Sequence, residues 1–216
     1  MPALMPAQRR DLAAIRKMIS SSDFEVFWSG IQTLYALNDP VIYAIFAEGL
    51  SVDSAGRIVI ERGCEVHRRA KAVHRQSLAL EALHLAGVLQ GVTRLDLTFS
   101  KYMRRVDGLA SATAMTHLSL RGCVSLRSVE PLASCTALEE LDLGDCRLLK
   151  SVAPLGACTS LRRLLLTHCR GLKSLEGLKG CTSLSHLDLF LCRGLRGRLR
   201  KPYPTRAAVV ALLGTM

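Results

Sequence analysis

From residue 92 onward the chain repeats every 23 residues, in units starting at Val92, Met115, Leu138, Leu161 and Leu184. Aligned on those starts, Leu95, Leu118, Leu141, Leu164 and Leu187 share one column, and Leu97, Leu120, Leu143, Leu166 and Leu189 share another. Two later columns hold Met103, Leu126, Leu149, Leu172 and Leu195, then Leu109, Leu132, Leu155 and Leu178. The L-x-L core has period 2, which predicts a short strand with both leucines on one side. A constant return sets each strand beside the last, parallel and about 4.8 Å away. The later leucines fill the space behind that sheet. A single unit cannot bury its own face, so stability has to come from stacking.

The pattern L-x-x-L-x-L-x-x-C-x-x-L-x-x-V-x-x-L-x-x-C-T-x resembles the leucine-rich repeat family, whose consensus every unit but the first follows through its cysteine. The segments "SVEPLASCTAL" and "SVAPLGACTSL" are similar to short internalin-type repeats, and the cysteine-bearing "CTSL" style resembles leucine-rich repeat proteins of trypanosomatid parasites. The resemblance implies an α/β fold: a leucine-rich repeat solenoid with a parallel sheet on its concave face, preceded by a small, mainly helical N-terminal cap. The expected divisions are 1–91 for the cap with one hairpin, 92–196 for the repeats and 197–216 for a basic C-terminal tail. The first unit departs from the pattern, with Ser100 and Ala112 where cysteine otherwise stands. In the last, Arg198 replaces the apolar Val129, Val152 or Leu175. The repeat then leaves a strand edge that needs covering. Three coverings stay open: "RAAVVALLGTM" folding back, a partner, or chain missing from a truncated reading frame.

Seven of the eight cysteines obey the register. Cys123, Cys146, Cys169 and Cys192 follow the strands, while Cys135, Cys158 and Cys181 precede the next ones. Metal sites favour close pairs such as C-x-x-C, and none occurs. These columns are expected to be architectural thiols, and no cofactor or metal is expected.

Ahead of the repeats, "AQRRDLAAIRKMIS" places Leu12, Ile15 and Ile19 on one helix face. "SDFEVFWSGIQTLYAL" predicts a second helix with a capping box of Ser22 and Glu25. Asp39-Pro40 starts a third, Gly49 ends it, and "LSVDSAGRIVIERG" predicts a hairpin around Asp53 to Gly56. Residues 64–86 are expected to form one helix running into the repeats. Six of the ten aromatics fall between residues 24 and 46; a small core is the expected use, an aromatic docking groove the alternative.

The net charge of +11 is unevenly placed: residues 193–216 carry six Lys/Arg and no Asp/Glu. "MPALMPAQRRDLAAIRK" lacks the apolar core of a secretory signal. The expected compartment is the cytoplasm, with mitochondrion or nucleus as alternatives, and no membrane span is expected.

No phosphate-binding G-x-x-x-x-G-K-[ST], G-x-S-x-G or H-E-x-x-H is present. Cys64, His67 and His74 have faintly ligand-like spacing within a basic stretch, and His168 beside Cys169 has the form of a nucleophile pair. Neither predicts an enzyme, and no small-molecule substrate is expected. Strand alternation instead exposes the residues between the leucines. One row is Arg94, His117, Glu140, Arg163 and His186; beside it run Asp96, Asp142 and Asp188, then Arg121 and Phe190. Together they predict a concave strip about 20 Å long that suits a protein partner, making the chain a non-enzymatic scaffold or adaptor. The alternative is contact with RNA or a ribonucleoprotein through Arg193, Arg196, Arg198, Arg200 and Lys201, assisted by residues 62–75.

Overall fold

The computed structural model describes residues 4–195 and 201–214. Helix α1 (Pro6–Ile19) buries Leu12, Ile15 and Ile19 against α2 (Phe24–Leu37). Asp23 starts α2: its carboxylate accepts the amides of Glu25 and Val26 at 2.9 and 3.0 Å. Ser22, expected as the cap, instead gives its carbonyl to the ring of His74. Asp39 caps α3 (Pro40–Ala47) in the same way, through Val41 and Ile42. Strands β1 (Leu50–Val52) and β2 (Ile58–Ile60) pair antiparallel as the predicted hairpin.

The single helix expected over residues 64–86 is two, α4 (Glu65–Arg69) and α5 (Arg75–Leu85), separated by an extended Ala70. Tertiary contacts break it. Glu65 is drawn to Arg16 of α1 at 2.6 Å. The His74 ring stacks on Phe27 with centroids 4.4 Å apart.

Beyond α5 come the parallel strands β3 (Arg94–Asp96), β4 (His117–Ser119), β5 (Glu140–Asp142), β6 (Arg163–Leu165) and β7 (His186–Asp188). Each pairs with the next at an offset of 23 residues, Leu95 opposite Leu118, then Leu141, Leu164 and Leu187. Short 3₁₀ segments such as Glu130–Ser134 and Ala153–Ala157 form the opposite side of each coil. The leucine columns lie between these layers, buried together with Val129, Val152 and Leu175.

Both sheet edges are occupied. At β3 the amide of Asp96 donates to the Gly56 carbonyl at the hairpin turn (2.7 Å). At the other end β8 (Pro202–Tyr203) pairs antiparallel with β7, placing Tyr203 opposite Leu187. Helix α6 (Arg206–Gly214) follows and buries Val209 and Leu212. Residues 197–216, expected as a basic tail, therefore include folded elements that cover β7. Among the described residues no helix is long and apolar enough to cross a membrane.

Candidate functional site

Parallel register makes Arg94, His117, Glu140, Arg163 and His186 consecutive neighbours across β3–β7. Of these, Arg94, His117, Glu140 and Arg163 line a hollow of about 450 Å³ with Asp96, Ser119, Asp142 and Leu165, and Ala55 of the hairpin borders it. Arg94, Glu140 and Arg163 are exposed. Among the described residues no ion pair joins them, although Glu140 and Arg163 are opposite each other. Their charges remain open to a partner.

The second row does other work. Asp96, Asp142 and Asp188 each accept, through one carboxylate oxygen, the amide two residues on: Thr98 at 2.9 Å, Gly144 at 2.8 Å and Phe190 at 2.8 Å. These bonds turn the chain at the strand ends. Asp142 also lies 3.8 Å from Arg121. Phe190 is 51% exposed at one end of the strip, edge-on to the His168 ring. The D-x-x ending of alternate strands was the available signal for these turns, and a row of acidic residues obscured it.

The cysteine columns are thiol ladders. Each Sγ donates to a carbonyl 26 residues earlier, in the preceding coil: Cys146 to Leu120 at 3.3 Å, Cys169 to Leu143 at 3.0 Å, Cys192 to Leu166 at 2.8 Å. Cys135, Cys158 and Cys181 make the equivalent bonds to Leu109, Leu132 and Leu155. Burial pushes the thiols of Cys135, Cys158 and Cys192 up to about 11, Cys123 and Cys181 to about 12, and raises Cys146 and Cys169 as well. A thiolate nucleophile at Cys169 is disfavoured on that ground.

Cys64 accepts the amide of His67 at the start of α4. His74 is 5% exposed in a different setting, against Phe27, and burial lowers its pKa. Among the described residues no group of three His, Cys, Asp or Glu could hold a metal ion. The basic stretch 62–75 is partly neutralised internally. Glu65, 3% exposed, receives Arg16, Arg68 and Arg69. Burial works to raise its pKa, but the guanidiniums outweigh that and hold it below the usual carboxylate range.

Of the aromatics between residues 24 and 46, Phe27, Trp28, Tyr43 and Phe46 are buried. Phe24 is half-buried in a groove of about 630 Å³ with Arg104 over its ring, 4.4 Å from the centroid. Arg105 stands 4.9 Å over Trp28. Of the basic residues considered for RNA, Arg193 and Lys201 are exposed, Lys201 being 5.5 Å from the centre of the Tyr203 ring. Arg196, Arg198 and Arg200 lie outside the described residues.

No family model and no curated protein matches the chain. Among solved structures, an internalin C2 from Listeria monocytogenes is similar at 24% identity and a TM-score of 0.43, over 50% of this chain and 45% of that one. The chain thus spans less than half that protein's length. An internalin (inlF) from the same organism is similar at 12% identity and a TM-score of 0.34, over 82% of this chain and 71% of the other.

Proposed function

We propose that the chain is a leucine-rich repeat solenoid with a helical N-terminal cap, acting as a non-enzymatic scaffold that docks a protein partner on its concave strip. The observation that carries this reading is the hollow over β3–β6, where Glu140 adjoins Arg163 in register, Arg94 stands two strands from Glu140 across His117, and among the described residues no ion pair joins the three. Preplaced charges of alternating sign select a complementary protein surface and fix its orientation. The Asp row and the apolar Leu165 fit that partner better than a polyphosphate, which three carboxylates would repel. The cytoplasm is the proposed compartment, since reducing conditions preserve the thiol ladders.

The test compares partners captured by the full chain with those captured after Arg163→Glu combined with Glu140→Lys, and after Glu176→Lys on the opposite side as control. A cognate partner should lose roughly tenfold or more in affinity to the strip variant, about 1.4 kcal/mol, and none to the control. Equal affinity for all three proteins would sink the assignment.

A further inference from the structure

Counting from the first cysteine column, or Ser100 in the first coil, basic residues recur at fixed positions. One place after it stand Lys101, Arg147, Arg170 and Arg193, with Val124 the exception. Four places after it stand Arg104, Arg127, Lys150 and Lys173. All eight are exposed, on the flank just past the C-terminal ends of the strands. The amide of Lys173 donates to the Lys150 carbonyl at 3.0 Å, so that column runs directly from coil to coil. Glycine permits the close approach beside it: a Cβ at Gly171 would sit 2.5 Å from the Arg147 carbonyl oxygen, and one at Gly194 would collide with that of Leu172. Two lines of cations therefore stack at the strand spacing, over a length of about 20 Å. Among the described residues Arg147 has a carboxylate partner, Asp145 at 3.6 Å, and the other seven have none.

We propose that this flank binds the phosphate backbone of a single-stranded nucleic acid. Stacked like charges, seven of the eight without a carboxylate partner among the described residues and Arg104 held over the Phe24 ring, repel one another, and a polyanion laid along them relieves that repulsion while releasing its own counterions. The shape of the site points to a linear ligand. A third column, Asp107, Glu130 and Glu176, runs alongside three positions further on and confines the cations to a narrow band. A flat anionic membrane would be pressed against those carboxylates as well. The carboxylates of an acidic peptide would leave unused the rings at one end of the band. There Tyr102, 58% exposed, lies between Lys101 and Arg104, and Phe99, 64% exposed, lines a hollow of about 220 Å³ with it. Exposed rings beside a cationic track are what bases stack on. This surface differs from the concave strip and from the basic stretch at 62–75, and it shares Arg193 with the basic residues between 193 and 201.

The experiment measures binding of a fluorescently labelled 15-nucleotide uridine RNA by the full chain, from 50 to 300 mM salt. The stripe variant Arg127→Gln/Lys150→Gln/Arg170→Gln/Lys173→Gln is compared with Arg9→Gln/Arg10→Gln/Lys17→Gln/Lys179→Gln, which removes the same charge at exposed positions elsewhere. Circular dichroism checks that both remain folded. The stripe variant should bind at least tenfold more weakly, and its log–log salt slope should be shallower by about 3, from roughly 0.7 per lost phosphate contact. The control should keep both affinity and slope. Equal losses in the two variants would reduce the effect to net charge and overturn the proposal. So would absent RNA binding, or stripe-dependent binding of poly-glutamate or phosphatidylserine vesicles in its place.

Discussion

Each ladder thiol reaches one coil plus three residues back, which explains where cysteine is missing. Ser100 and Ala112 occupy the two columns in the first coil, and no earlier coil offers them a carbonyl. That departure was visible in the sequence, and its reason lies in the bond's direction. A second residue-scale constraint was not visible. The position just before the first cysteine column is left-handed in every coil: Phe99 (φ 61°), Gly122 (73°), Asp145 (60°), His168 (61°) and Leu191 (58°). Only Gly122 advertises it, because the backbone demand leaves no shared side chain. A residue with a Cβ costs about 1–2 kcal/mol there, and glycine returns part of the gain through unfolded-state entropy. His168→Gly should therefore stabilise the fold by about 0.5–1 kcal/mol in urea unfolding. A loss would mean that the contact with Phe190 outweighs the backbone strain.

Among the elements, α5 is the joint between the helical part and the repeats. Its Glu81 is wholly buried, accepts the Tyr35 hydroxyl at 2.5 Å and the Gly108 amide at 3.1 Å, and so ties α2 to the 3₁₀ segment Asp107–Ser111. Burial pushes its pKa up to about 7 despite those two hydrogen bonds. An unfolded glutamate ionises near 4.5, while the folded one keeps its proton until about pH 7. Its contribution is thus complete below the unfolded value and lost as pH rises through the folded one, by about 3 kcal/mol across the window. His74 and His84, whose pKa values burial lowers, slope the opposite way. The difference between wild type and Glu81→Gln is therefore the quantity to read in denaturant titrations from pH 4.5 to 8, and it should show this decline. Parallel curves would remove Glu81 as its source. Helix periodicity placed α1 and α2 correctly, and Asp39-Pro40 marked the start of α3. It could not show that residues 70–74 break, because the causes are Arg16, Phe27 and Ser22, distant in sequence.

At the scale of the molecule, the 23-residue period was enough to read the parallel order and register of β3–β7, and hence which side chains face the hollow. The closure of the sheet was less legible. Pairing of β8 with β7 uses backbone groups of Pro202 and Tyr203, which carry no repeat signature. Removing residues 201–216 should leave the β7 edge unpaired and uncover the apolar surface under Val209 and Leu212. Sedimentation should then show concentration-dependent association at micromolar protein where the full chain stays monodisperse. A truncated chain that sediments unchanged would deny β8 and α6 that protective role. The basic flank, too, was present in the sequence. Charge summed by segment is concentrated in residues 193–216, whereas charge sorted by column finds Lys101 to Arg193 distributed across every coil.

The thiol ladders also set how the molecule meets electrophiles. Of eight cysteines, seven are buried with their protons directed at backbone carbonyls, and Cys64 is half-exposed. To an alkylating reagent the folded chain counts as a one-cysteine protein. Each further equivalent consumed records the parting of two particular coils, so the stoichiometry of labelling doubles as a gauge of how far the stack has opened.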